Sequence, residues 1–288
     1  MRMSSHRLIS RFAVLLLAIA SSAVAAEVER TGGPYVPTPQ VVVDAMLDFA
    51  KVGARDFVVD LGSGDGRIVL TAAERYKARG VGVEIDPELV ASSNEEANKR
   101  GIAERASFRE EDVLKTKIDD ATVVTLYLLP GMMQQLQARF FAELKPGTRI
   151  VSHDFAFGEW KPDRETSVDV PEKYGTAGQW KSTLFYWLVP ARVGGDWRLS
   201  APGLLAGDQP LYLIQKFQFL EGRLVRKARP VPLANGKLEA DRISFRLMLP
   251  SGAVDFGGHV QDDRMNGVAV QGGRSFPWTA VRSNAAAH

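Results

Sequence analysis

Between Phe57 and Val189, short apolar runs alternate with longer stretches of helical period. Phe57-Val58-Val59-Asp60 reads as a buried strand, and residues 67–79 read as a helix that ends at Gly80. Residues 80–84 form a second strand, and Pro87 opens a helix to about Arg100. Ala106-Ser107-Phe108 is a short strand, and residues 123–128 form a central one. Residues 132–144 are a helix stopped by Pro146-Gly147, and residues 149–152 are a further strand. Alternation on this scale predicts an α/β, Rossmann-like parallel sheet with helices on both faces.

After Pro190 the helical period disappears. Apolar residues alternate instead, with Leu211, Leu213, Phe217 and Phe219 on one face and Ile243, Phe245, Leu247 and Leu249 on a later one. Turn signals fall at Glu221-Gly222, Asn235-Gly236, Ser251-Gly252, Asp262-Asp263 and Gly272-Gly273. This pattern predicts a C-terminal antiparallel β-barrel or sandwich. The chain therefore divides into a leader over 1–26, an α/β domain over 27–189 and a β domain of unassigned role over 190–288.

The leader has its own logic. Arg2, Arg7 and Arg11 precede an unbroken apolar run over 12–20, and Ala23-Val24-Ala25 supplies a small-x-small cleavage signal. That is the layout of a secretory signal peptide, so the expected location is exported, in the periplasm of a bacterium. Retention of the leader as an inner-membrane anchor is the alternative. Of 36 Lys/Arg and 34 Asp/Glu, the leader holds three Arg and no acid, so the rest of the chain has net charge −1. Basicity then gives no argument for nucleic acid as a partner. Residues 27–189 carry 20 cations and 26 anions, and residues 190–288 carry 13 and 8, a contrast that suggests mutual attraction. Without cysteine, disulfides, thiolate metal sites and Cys nucleophiles are excluded. No spacing of His with acids suits a metal ion.

The chemistry is concentrated where the first strand hands over to the first helix. Asp60-Leu61-Gly62-Ser63-Gly64-Asp65-Gly66 is a G-x-G-x-G turn with an acid two residues before its first glycine. Such glycines let the backbone turn sharply and approach a ligand closely. A dinucleotide fingerprint reads G-x-G-x-x-G instead. The preceding acid suits a ligand that carries an ammonium group, as S-adenosylmethionine (SAM) does. Glu84, at the end of the second strand, is placed to accept from both ribose hydroxyls. Asp112, after the third strand, is placed to accept from the adenine amino group.

These stretches carry a resemblance. Tyr35-Val36, DLGSGDGRIV at 60–69, GVGVEID at 80–86, EDV at 111–113, YLLP at 127–130 and RIVSHDF at 149–155 resemble the seven-strand lysine methyltransferases. That group includes the mitochondrial enzymes acting on the ATP synthase c-subunit and the adenine nucleotide translocase. The resemblance covers residues 34 to about 189 and leaves the β domain out. It implies a seven-strand methyltransferase sheet, SAM as cofactor and transfer of a methyl group to a lysine amine. The expected partner is a protein, with a membrane-associated one preferred.

A small-molecule N- or O-methyltransferase, and an exported SAM-binding module with little activity, stay open beside it. Cofactor candidates are Tyr35, as a lid, with Asp60, Gly62, Ser63, Gly64, Asp65, Gly66, Glu84 and Asp112. Tyr127 and His153 are the catalytic candidates. Asp154, steering a cationic substrate, and Trp160, walling its channel, are the substrate candidates.

Overall fold

The computed structural model describes residues 35–173 and 176–283; the leader read in residues 1–26 lies outside them. The first sheet has seven strands. They are β1 (Phe57–Leu61), β2 (Arg79–Glu84), β3 (Ala106–Glu110), β4 (Val123–Leu126), β5 (Arg149–His153), β6 (Arg164–Lys173) and β7 (Thr176–Leu188). They lie in the order β3-β2-β1-β4-β5-β7-β6. β1 to β5 are parallel, and β7 runs antiparallel to both β5 and β6.

The helices are α1 (Gln40–Phe49), α2 (Arg67–Arg75), α3 (Pro87–Lys99) and α4 (Pro130–Glu143). Successive strand residues feed opposite faces. Val58, Val123, Val151 and Leu184 pack against α1 and α2. Val59, Val124, Ile150 and Trp187 pack against α4. Buried on both faces, the central strands read as near-continuous apolar runs.

The sequence pattern does not predict helix α1 or the β6–β7 hairpin. Two expected elements are also shorter. Helix α2 stops at Arg75 because Lys77 turns left-handed (φ 58°) and Ala78 is buried, which frees Arg79 to pair with Phe57. Strand β4 stops at Leu126, which releases Tyr127 and Leu128 at the sheet edge.

Beyond β7 eight antiparallel strands close into a barrel. They are β8 (Gly195–Ser200), β9 (Gln209–Lys216), β10 (Phe219–Arg226), β11 (Arg229–Glu239), β12 (Arg242–Leu249), β13 (Gly252–Gln261), β14 (Arg264–Gln271) and β15 (Arg274–Arg282). Closure leaves no open sheet edge. Ile243, Phe245, Leu247 and Leu249 point inward with Trp197, Phe256 and Trp278, so the interior is a packed core.

Two expected turns are not turns. Gly222 lies inside β10 and Gly236 inside β11, each at a shift of strand register. A Cβ at Gly222 would stand 2.1 Å from the Tyr212 carbonyl oxygen, and one at Gly236 would stand 2.4 Å from that of Leu220. These glycines permit bulges and close approach in a sharply curved sheet. The chain reverses instead at Phe217-Gln218, Lys227-Ala228 and Ala240-Asp241. Phe219, expected to face inward, is exposed.

One end of the barrel seats on the α4 face of the first sheet. The Phe217 ring stacks on Trp160 at 5.2 Å and meets Phe141 edge-on at 5.6 Å. Buried Gln218 donates to the Lys161 carbonyl at 2.9 Å, and Ala191 N donates to Ala240 O at 2.8 Å. The ion pair Lys216–Glu159, at 3.6 Å, is exposed and contributes little. Aromatic packing and buried hydrogen bonds hold this junction, and the charge contrast between the two halves plays a small part in it.

Candidate active site

The carboxyl edge of the parallel strands opens into a cleft of about 280 Å³. This is the edge where open α/β sheets bind ligands. Every described residue lining the cleft lies between Tyr35 and Phe155, so the barrel contributes none.

The glycine turn forms the floor. Gly62, Gly64 and Gly66 all have positive φ (79°, 53° and 77°). Gly62 N and Ser63 N donate to Val83 O, which ties the turn to β2. Gly66 is the N-cap of α2 and sits against Phe108; it shapes the turn from behind and does not line the cleft. The buried Ser63 hydroxyl has no hydrogen-bond partner among the described residues.

Four carboxylates face the cleft from neighbouring strand ends: Asp60, Glu84, Glu111 and Asp112. Asp60 is buried and accepts from the Thr125 hydroxyl at 2.7 Å. Burial pushes its pKa up to about 7; the Thr125 bond opposes this, and Glu84 and Asp65 add to it. A buried carboxylate with one neutral donor gains from a cationic ligand.

Glu84 is held open by three backbone donors: Gly64 N at 2.9 Å, Ile85 N at 2.8 Å and Asp86 N at 3.1 Å. Asp112 accepts from Leu114 N at 2.9 Å, and that bond, against slight burial and with help from Lys115, holds its pKa below the usual range.

A strap of residues 35–38 crosses the mouth. The Tyr35 ring lies over Gly64 so closely that a Cβ there would stand 2.5 Å from Cε2. Burial raises the Tyr35 pKa, and its hydrogen bond and charge contact with Asp65 raise it further. Asp65 is taken by Arg67, with Nε and Nη2 donating at 2.9 and 2.5 Å. Burial works against that carboxylate, but the Arg67 bond and charge prevail and lower its pKa. Arg67 also donates to Thr38 O at 2.7 Å. Asp65 and Arg67 thus fasten the strap to the glycine turn.

The opposite wall is apolar. It consists of Tyr127, Leu128, Leu129, Met132 and Phe155, faced by Val36 and Pro37.

His153 is almost fully buried behind this wall and does not line the cleft. Its Nε2 is 2.8 Å from the Ser182 hydroxyl and its Nδ1 is 3.3 Å from that of Thr38. Its ring lies 4.0 Å from that of Tyr127. The expected proton acceptor is thus a residue of the supporting layer, since both ring nitrogens are engaged inside the protein.

Asp154 is also redirected. Its left-handed backbone (φ 60°) turns the carboxylate onto Thr183 N at 2.9 Å, next to His153 Nε2 at 3.4 Å. It fastens β5 to β7 and lies outside the lining that would meet a substrate. Trp160 is fully buried against Phe157 and Phe217, so it packs the domain junction and walls no channel.

Thr38, Arg67, Glu111, Leu129, Met132 and Phe155 belong to the cleft, and the sequence pattern does not single them out. Arg67 and Phe155 sit inside recognisable motifs; only the geometry shows where their side chains go.

Residues 60–164 match the family described as the ANTKMT methyltransferase domain. A protein-lysine N-methyltransferase of Saccharolobus islandicus is 44% identical over 137 residues, which is 47% of this chain and 85% of that one. The chain belongs to this methyltransferase family. The ATP synthase c-subunit lysine N-methyltransferase of Xenopus laevis is 35% identical over 52% of the chain. The match spans 66% of that relative's length.

Among solved structures, an RNA methyltransferase from Salinibacter ruber in complex with S-adenosyl-L-homocysteine is 47% identical. The match covers 55% of this chain and 96% of that one, with a TM-score of 0.49. By its family, this chain is a SAM-dependent methyltransferase.

The cleft fits that cofactor. It pairs a buried carboxylate short of a cation with a fixed carboxylate on the next strand and a glycine turn that a Cβ would fill. Bound SAM supplies a methyl group on a sulfonium, which needs no further activation.

Proposed function

We propose that this chain transfers a methyl group from SAM to the side-chain amine of a protein lysine. The observation that carries the reading is the contrast between the two walls of one cleft. On one side carboxylates await a cationic, hydroxylated ligand; on the other, Tyr127, Leu129, Met132 and Phe155 offer an apolar path.

In this reading the SAM ammonium lies toward Asp60, its ribose hydroxyls on Glu84, and its adenine beside Asp112. Tyr35 closes over it. An amine entering the apolar side loses hydration, which lowers its pKa from about 10.4 and favours the neutral nucleophile. The chain aligns the amine and excludes water, and these are the main demands of an in-line displacement. With His153 turned inward, no side chain is needed as a strong base. The lysine-directed activities for which the archaeal and frog relatives are named support lysine as acceptor.

A membrane-associated protein is the proposed substrate, and export by the leader is the proposed route to it. N-terminal sequencing of fractionated cells tests the latter: a start at or next to Glu27 in the exported fraction is expected, and an intact Met1 in the cytoplasm overturns it. For the reaction, the protein is incubated with methyl-labelled SAM and membrane extract, and labelled protein is hydrolysed and chromatographed. Label on methyllysine is expected. Label on a nucleoside, or only in small molecules, overturns the reading.

A further inference from the structure

The barrel end far from the first sheet carries positive charge that its neighbours do not neutralise. Alternate turns of an antiparallel barrel lie at alternate ends. The Phe217-Gln218 and Ala240-Asp241 turns face the first sheet, so Lys227-Ala228, Pro250-Ser251, Gly272-Gly273 and residues 201–208 form the opposite rim.

Arg226 and Arg229 are direct partners across the closing pair of the β10–β11 hairpin, with Lys227 at its tip. Arg274 closes the β14–β15 turn against Gln271. Like charges opposite one another on paired strands are destabilising. None of these four cations has an ion-pair partner among the described residues, and Asp208 is the one acid in the turns of that rim. The barrel arginines Arg242 and Arg282, also at strand ends, are paired with Glu239 and Asp263.

Apolar side chains continue the surface. Met248 on β12 is 61% exposed beside Ala253, and Val268 and Val270 are exposed on β14, two strands away, with Val268 beside Pro277.

We propose that this rim docks on a bilayer surface rich in anionic phospholipid. Two of the four turns at this end, on opposite sides of the barrel mouth, present the four cations toward one end plane, which suits a plane of headgroup phosphates. Exposed aliphatic side chains with no exposed aromatic among them suit acyl-chain contact and offer no stacking platform for bases. Each cation near such a surface changes the partition by roughly fivefold. The proposal is independent of which amine is methylated.

The test is flotation of the full chain with vesicles of phosphatidylcholine, alone or mixed with phosphatidylglycerol. The wild type is compared with the combined R226Q/K227Q/R229Q/R274Q variant. Both carry the same leader, so its own affinity cancels. Binding to the phosphatidylglycerol vesicles is expected to fall at least tenfold in the variant, with SAM binding and melting temperature unchanged. A second measurement needs no variant: wild-type binding should weaken steeply as sodium chloride is raised, because the contact is electrostatic. Equal flotation of wild type and variant, or equal binding to both vesicle types, overturns the proposal. So does cation-dependent capture of RNA or an acidic polypeptide without vesicle binding.

Discussion

The imidazole of His153 lies 4.0 Å from the phenol ring of Tyr127, tilted by 32°, and it reaches Thr38 through Nδ1. One buried side chain therefore touches both the apolar wall and the strap that crosses the cleft.

His153 should act through these neighbours. A general base contributes about 10²–10⁴-fold. His153→Asn should cost less than that, with kcat falling more than SAM affinity. The rate should rise with pH through the neutral range in both proteins, since the amine's own ionisation governs it. A pH–rate profile of the variant checks this; loss of its neutral limb would make His153 the base.

Asp60 sets a pH dependence. Its folded pKa, about 7, lies above the ordinary carboxylate value. The stability it contributes is present below that ordinary value and is lost as pH rises through about 7. A bound ammonium reverses the preference by favouring the ionised form. SAM should therefore bind more tightly as pH rises from about 6 to 8 and should release a proton on binding at the acid end of that range. Titration calorimetry in buffers of different ionisation heat measures that proton, and Asp60→Asn should abolish it.

Gly64→Ala tests the strap. The new methyl group would stand 2.5 Å from Tyr35 Cε2 at a φ of 53°. Left-handed backbone costs a non-glycine residue about 1 kcal/mol. The variant should fold, melt a few degrees lower and bind SAM more weakly, with the fluorine signal of a fluorotyrosine placed at position 35 more exposed to a soluble paramagnetic quencher. Unchanged quenching would mean that the strap does not rest on the turn.

We propose a domain boundary near Pro190; no barrel residue lines the cleft. A chain ending there should still bind SAM, but Phe141 and Trp160 lose Phe217, so it should melt lower and self-associate. Phe217 is half-buried, so Phe217→Ala in the full chain should destabilise by less than the roughly 3–5 kcal/mol that a fully buried phenylalanine costs. A truncated chain that is folded yet blind to SAM would refute the boundary.

Much of the fold is legible in the sequence because its signals are local. The glycine turn, the run into Glu84 and the alternation along β12 each declare one element. The misreadings arise where distant chain decides. Asn235-Gly236 carries a strong hairpin signal, yet the barrel's curvature uses it as a bulge against Leu220. His153 and Asp154 sit at the expected strand end, but β7 pairs alongside and captures both through Ser182 and Thr183. Trp160 reads as a cleft aromatic until Phe217, from the barrel, stacks on it.

The most direct measurement is the calorimetric affinity of SAM for the wild type, Glu84→Gln and Glu84→Ala. Glu84 accepts from Gly64, Ile85 and Asp86, so it both shapes the turn and faces the cleft. Affinity should fall in the order wild type, Gln, Ala, with the Ala protein still folded by circular dichroism and its binding reduced at least tenfold, or about 1.4 kcal/mol. Wild-type affinity in a folded Glu84→Ala protein would contradict the assignment of this cleft to the cofactor.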